Sequence, residues 1–194
     1  GFGGNPNVVA NELYNGSAWT ELADLNTGRG DGVNGAGTVS TAALAFGYSN
    51  PSVIVEQWNG SAWTEVGDMN TSKALSTGFG ASNSAINCGG EVSSSNSALT
   101  ELWNNSTWTE VADLNNARYG SGSAGVSNTS GLVFGGATPI KSNAETWNGT
   151  AWTEVGDLNE GRQYPGGLGT ETAALAFGGQ NPPNTAEAVN EDWN

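Results

Sequence analysis

Trp58-Asn59-Gly60-Ser61-Ala62-Trp63-Thr64-Glu65-Val66 decides the fold, because the same nine positions return at a nearly constant interval. They read Tyr14-Asn-Gly-Ser-Ala-Trp-Thr-Glu-Leu22 before it, then Trp103-Asn-Asn-Ser-Thr-Trp-Thr-Glu-Val111 and Trp147-Asn-Gly-Thr-Ala-Trp-Thr-Glu-Val155 after it. Trp193-Asn194 begins a fifth copy. The leading aromatics at 14, 58, 103, 147 and 193 are spaced by 44, 45, 44 and 46 residues. A period of this size marks a repeat architecture, in which each unit buries its faces by stacking on its neighbours.

Three further segments complete each unit. A glycine-rich stretch comes first: Gly35–Thr38, Gly78–Ala81, Gly122–Gly125 and Gly167–Thr170. A short apolar run ending in glycine follows at Ala42–Gly47, Ala85–Gly90, Leu132–Gly136 and Ala173–Gly179, and Gly1–Gly4 reads as the tail of one more. Glu then stands two residues before the leading aromatic, at Glu12, Glu56, Glu101, Glu145 and Glu191. Every segment has strand length, β-branched or aromatic enrichment and turn residues at both ends. Asn-Gly between the third and fourth segments is the usual two-residue hairpin turn, and Asn104-Asn105 replaces it in one copy. Four antiparallel strands per ~45 residues describe a propeller blade.

A glycine-rich strand, an apolar strand ending Phe-Gly-Gly, a strand ending in an aromatic and then a tryptophan strand resemble the kelch repeat, over essentially the whole chain. The resemblance implies an all-β, kelch-like β-propeller of four-stranded antiparallel blades. Residues 1–194 read as one such domain, with repeats starting near 14, 58, 103 and 147 and a partial one at 193. The unit is shorter than a usual kelch repeat, and Gly47-Tyr48 breaks the double glycine in one copy. Four to five blades are expected here, or a fragment of a larger propeller, since the chain begins inside an apolar strand and ends within a hairpin turn.

Composition narrows the function. The net charge is −14, with five basic and 19 acidic residues. This points away from nucleic acid and anionic lipid, which are bound by clusters of Lys and Arg. No apolar run approaches the ~20 residues that cross a bilayer as a helix, so membrane insertion is not expected. With no histidine and one cysteine, Cys88, the chain lacks Ser-His-Asp and Cys-His nucleophile systems and imidazole-based zinc or copper sites. Cys88 falls where other copies carry Phe2, Phe46, Phe134 and Phe177, which suggests a buried apolar role.

Four of the five basic residues share one repeat position: Arg29, Lys73, Arg118 and Arg162. The kelch resemblance places this connection at the axial mouth, where a cationic ring would suit a carboxylate, a sulfate or an acidic peptide. The alternative is structural pairing, with Asp24, Asp68, Asp113 and Asp157 five residues upstream or with a neighbouring blade. The eight tryptophans recur in register, so packing between blades is expected in preference to a sugar platform. The Glu residues at 12, 56, 101, 145 and 191 and at 21, 65, 110 and 154 are expected as solvated strand-face charges. The sequons at Asn15, Asn59, Asn105 and Asn148 coincide with the hairpin turns. Asp31-Gly-Val-Asn34-Gly starts like a calcium loop but has no downstream acid. Copies differ most after the apolar strand, at Tyr48–Ser52, Glu91–Asn96, Ala137–Lys141 and Gln180–Asn184, where recognition is free to vary.

The expected function is a non-enzymatic binding or structural module. Bacterial and phage-associated repeat arrays are similar, and imply an extracellular adhesin or virion fibre contacting protein or glycan on a cell or virion surface. Neither cofactor nor metal is called for. The chain is read as a possible homo-oligomer or a part of a longer protein. The alternatives are a pure assembly scaffold without a small ligand, or a propeller hydrolase, but catalysis breaks repeat symmetry and these copies barely break it.

Overall fold

The computed structural model describes residues 7–30, 32–47, 52–181, 185–186 and 188–194. The expected strand tail at Gly1–Gly4, Asp31 and most of the Tyr48–Ser52 loop lie outside them. All regular structure among the described residues is β. A leading hairpin pairs β1 (Glu12–Tyr14) with β2 (Trp19–Glu21). The first blade comprises β3 (Asn34–Val39), β4 (Ala42–Phe46), β5 (Glu56–Trp58) and β6 (Trp63–Glu65). The second runs β7 (Thr77–Ala81) and β8 (Ser84–Cys88), detours through the small hairpin β9 (Glu91–Val92) and β10 (Ser95–Asn96), then resumes with β11 (Thr100–Trp103) and β12 (Trp108–Glu110). The third holds β13 (Gly122–Ser127), β14 (Ser130–Phe134), β15 (Ala144–Trp147) and β16 (Trp152–Val155). In the fourth, β17 (Gly166–Gly169) and β18 (Ala174–Phe177) lead through a hairpin of β19 (Gln180–Asn181) and β20 (Thr185–Ala186) to β21 (Asn190–Trp193).

These sheets are arranged as a four-bladed β-propeller. Three blades are four-stranded, and the fourth shows three strands among the described residues. The innermost strands β3, β7, β13 and β17 pack side by side in that order. Their small residues permit the approach: a Cβ on Gly78 would come within 2.5 Å of the Phe46 ring of the preceding blade, and one on Gly167 within 2.7 Å of Phe134. Strand pairing shifts the third copy by one position from the sequence alignment. Gly122 faces Phe134 as Thr77 faces Cys88, so Ser123 takes the place of Gly78 and Gly167.

The hairpin turns form as expected. In each, the Asn Oδ1 accepts the backbone amides two and three residues on, as Asn59 does from Ser61 and Ala62. Gly60 follows at φ 97°, and Asn105 adopts the same left-handed region at 73°.

The core lies between blades. Phe46 of the first blade meets Trp108 of the second edge to face, with ring centroids 5.4 Å apart. Ala36, Leu44, Val55, Met69, Ala85 and Trp103 close around the pair. Trp58, Trp63, Trp103, Trp108, Trp147 and Trp152 are all buried. The leading indoles donate to the turn of their own inner hairpin, Trp58 to Ser40 O, Trp103 to Ser82 O and Trp147 to Asn128 O. Trp19, in the leading hairpin, is 59% exposed.

Candidate functional site

The connection from each tryptophan strand to the next inner strand carries the recurring basic residue. The spacing suggested an open cationic ring, but Arg29, Lys73, Arg118 and Arg162 are all buried. Each is ion-paired with a glutamate on the third strand of the blade it leads into. Arg29 reaches Glu56 at 3.3 Å, Lys73 reaches Glu101 at 3.4 Å, Arg118 reaches Glu145 at 2.6 Å, and Arg162 contacts Glu191. The same carboxylates accept the backbone amides of the arriving connection: Glu145 takes Asn115 N at 2.7 Å and Asn116 N at 3.1 Å. A guanidinium supplies several fixed donors, and Arg118 directs others to Asn116 O, Gly135 O and Asn143 O.

Two expectations are thereby corrected. The basic residues clamp blades together and do not present a ring to solvent. Glu56, Glu101 and Glu145 are buried acceptors and not solvated charges, whereas Glu21, Glu65, Glu110 and Glu154 are exposed as expected. The upstream aspartates are not the partners. Asp113 accepts from Thr100 N, and Asp157 from Ser142 Oγ. Burial lowers the pKa of Lys73 and of Arg118, with the paired glutamate opposing the shift in each case.

Beyond each clamp the chain turns toward the propeller axis and forms the mouth, through residues that the sequence does not single out. Leu75, Gly120 and Tyr164 occupy one repeat position and share left-handed backbone, with φ of 50°, 59° and 54°. Gly120 N donates to Leu75 O at 3.0 Å and Tyr164 N to Gly120 O at 2.6 Å, so consecutive blades are laced by a backbone belt. Left-handed φ on leucine and tyrosine costs of order 1–3 kcal/mol each, and such strain concentrates at ligand-facing positions. A depression of about 210 Å³ opens here, lined by Asn34, Leu75, Ser76, Ser121, Tyr164 and Pro165 among others. Tyr119 and Tyr164 lie 6.3 Å apart at its rim, and Tyr164 is 45% exposed. Partial burial, helped by Tyr119 and Glu91, raises the Tyr164 phenol pKa.

Among the described residues, parts of the segments that vary between copies come to the same end. Isolated bridges tie Ala74 to Glu91, Tyr119 to Ala137 and Gln163 to Gln180. Thr138 Oγ1 donates to the Tyr119 hydroxyl at 3.0 Å, and Asn96 Nδ2 donates to Thr138 O at 2.8 Å. Asp31, the calcium-loop candidate, lies outside the described residues. Among the described residues no group of three His, Cys, Asp or Glu could hold a metal ion. Cys88 is fully buried on β8, with its thiol pKa pushed up to about 12 by desolvation.

No family model and no curated protein matches the chain. Its fold is similar to that of a solved structure, YjhT, a propeller protein, with a TM-score of 0.72 and 14% sequence identity, covering 89% of this chain and 68% of that one. At that identity the likeness speaks for the fold. The chain is a β-propeller repeat protein.

Proposed function

We propose that this propeller is a non-enzymatic recognition module with kelch-like blades, acting outside the cell or on a virion surface as an adhesin or fibre component. Its ligand would be a glycan or protein, taken up at the end of the propeller that carries Tyr119 and Tyr164. One observation carries the reading: Glu91, Asn96, Ala137, Thr138 and Gln180, in segments that the repeat leaves free to differ, gather at the mouth around strained residues and an exposed tyrosine. The recurring cations are buried in pairs, which leaves Lys141 as the remaining basic side chain and makes an anionic ligand a poor fit. Tyrosine faces with Gln163, Gln180, Asn96 and Ser121 nearby suit a hydroxyl-rich neutral partner. Recurrence of every clamped acid–base pair in the blades also argues for scaffolding in preference to chemistry.

The test is a screen of immobilised neutral oligosaccharides, with positives titrated against the wild type and Tyr164→Ala. The expected result is at least a ~10-fold loss in the variant at an unchanged unfolding midpoint, and little change over a tenfold rise in salt. Binding that vanishes with salt, or that ignores Tyr164, would overturn this assignment of the site.

A further inference from the structure

The clamp of the second blade departs from the other three at two positions at once. Lys73 stands where Arg29, Arg118 and Arg162 stand. On β8, Asn87 faces Glu101 across the strand pair, whereas Ala45, Val133 and Ala176 face Glu56, Glu145 and Glu191. A guanidinium keeps its proton, and alanine and valine offer no carbonyl to attack, so the other clamps are inert at these places. The second blade alone sets an amine and a carboxamide against the same buried glutamate.

Lys73, Asn87 and Glu101 are sealed from water, none of them more than 1% exposed. Lys73 Nζ lies 3.4 Å from Glu101 Oε1 and 3.3 Å from the main-chain oxygen of Asn87, and it also donates to Leu99 O at 3.3 Å. Directly opposed strand residues carry their Cβ atoms about 5 Å apart on one face of the sheet, so the Asn87 side chain stands beside Glu101. Asn87 Nδ2 contacts Met69 Sδ, a weak acceptor, at 3.0 Å. Asn87 Oδ1 is buried with no hydrogen-bond partner among the described residues. A carboxamide so poorly satisfied is costly to bury, and the other blades pack without one. Burial also lowers the Lys73 pKa, against the opposing pull of Glu101, and so favours the neutral, nucleophilic amine.

We propose that Lys73 and Asn87 join through an intramolecular isopeptide bond, formed by the folded chain itself with Glu101 as the proton carrier. Glu101 takes a proton from the Lys73 ammonium, and the neutral Nζ attacks Asn87 Cγ. Glu101 then hands that proton to Nδ2 and takes a second one from Nζ as the Cγ–Nδ2 bond breaks. The products are the Nζ–Cγ amide and ammonia, which carries the second proton away as ammonium and leaves Glu101 ionised. No oxidant, metal or cofactor enters the balance. The fold supplies the rate by holding amine, carboxamide and carboxylate together, which turns an encounter into a unimolecular step. The Lys73–Glu101 ion pair is the state before reaction, and the product ties the connection arriving from the first blade covalently to β8.

The experiment is the intact mass of the 194-residue chain, folded at neutral pH, checked by near-UV circular dichroism and then denatured for mass spectrometry and peptide mapping. The expected mass is lower than that of the sequence by one ammonia, with a branched peptide joining Lys73 to Asn87. Lys73→Arg and Asn87→Ala should each restore the full mass. Both place in the second blade a residue that another blade already carries there, so both are expected to fold. Glu101→Gln should also restore it. Full mass in the natively folded wild type overturns the proposal. So does a loss of ammonia that persists in Lys73→Arg, since ring closure at an Asn-Gly turn would then be its source. The wild-type measurement keeps the conclusion intact even if a variant fails to fold.

Discussion

Arg118 Nη2 lies 2.6 Å from Glu145 Oε1, both side chains fully buried, and the two residues are 27 positions apart in the chain. One sits on the connection arriving from the second blade and the other on the third strand of the third. The clamp thus fixes the incoming chain at the angle the propeller requires, and it recurs wherever one blade hands over to the next. Neutralising a buried charge with its partner retained is costly.

Glu145→Ala should therefore destabilise the protein by about 3–5 kcal/mol, because Arg118 would keep a buried charge without its counterion. The double replacement Arg118→Met with Glu145→Leu should recover a large part of that loss. Urea unfolding of the three proteins checks this, and an additive double mutant would show that the pair is not coupled.

The second tryptophans differ in how their indole N–H groups are satisfied. Trp152 Nε1 donates to Thr100 Oγ1 at 3.2 Å, but Trp108 Nε1 is buried with no hydrogen-bond partner among the described residues. Val55 stands in the first blade where Thr100 stands in the second, and it packs in the cluster that holds Trp108. Val55→Thr should raise stability by about 1 kcal/mol, and Thr100→Val should lower it by about 1–3 kcal/mol. Opposite signs in paired unfolding curves are the outcome to look for.

Tryptophans of different burial should not be energetically equivalent. Trp147 is 1% exposed and Trp19 59%. Trp147→Ala should cost about 3–5 kcal/mol, and Trp19→Ala less than about 1 kcal/mol. Comparable losses at the two sites would mean that Trp19 is covered in solution.

The alkaline limb of stability should carry the signature of Cys88. Its thiol pKa is raised from 9.0 to about 12 in the fold, so the native chain keeps a proton that the unfolded chain releases. That contribution is whole below pH ~9 and declines as pH climbs toward ~12. Lys73 works in the opposite sense: its pKa is lowered from 10.5, so its contribution grows with pH up to that value. Comparing the wild type with Cys88→Ala isolates the thiol. The stability difference between them should shrink by about 2 kcal/mol from pH ~8 to ~10.5, and a constant difference would contradict the burial.

Much of this architecture is legible in one dimension. The four segments, the Asn-Gly turns and the apolar place of Cys88 each depend on a residue's near neighbours and on a period that returns them to register. The small hairpins β9–β10 and β19–β20 are legible only as variable loops, because neither Glu91–Asn96 nor Gln180–Asn184 carries an alternating pattern long enough to mark a strand. The residues that line the mouth are not marked in the sequence, for a related reason. Leu75 and Tyr164 are unremarkable residues in sequence, and their left-handed φ is imposed by the belt of hydrogen bonds between blades.

The basic residues draw the boundary most clearly. Sequence alone determined that Arg29, Lys73, Arg118 and Arg162 are equivalent, that blades repeat every ~45 residues, and that tryptophans build their interfaces. Tertiary structure alone decided whether those cations face ligand or protein. Aspartates five residues upstream looked like partners because they are near in the chain. The propeller instead brings in glutamates from the following blade, and a charge buried between two sheets takes whichever counterion the packing places against it.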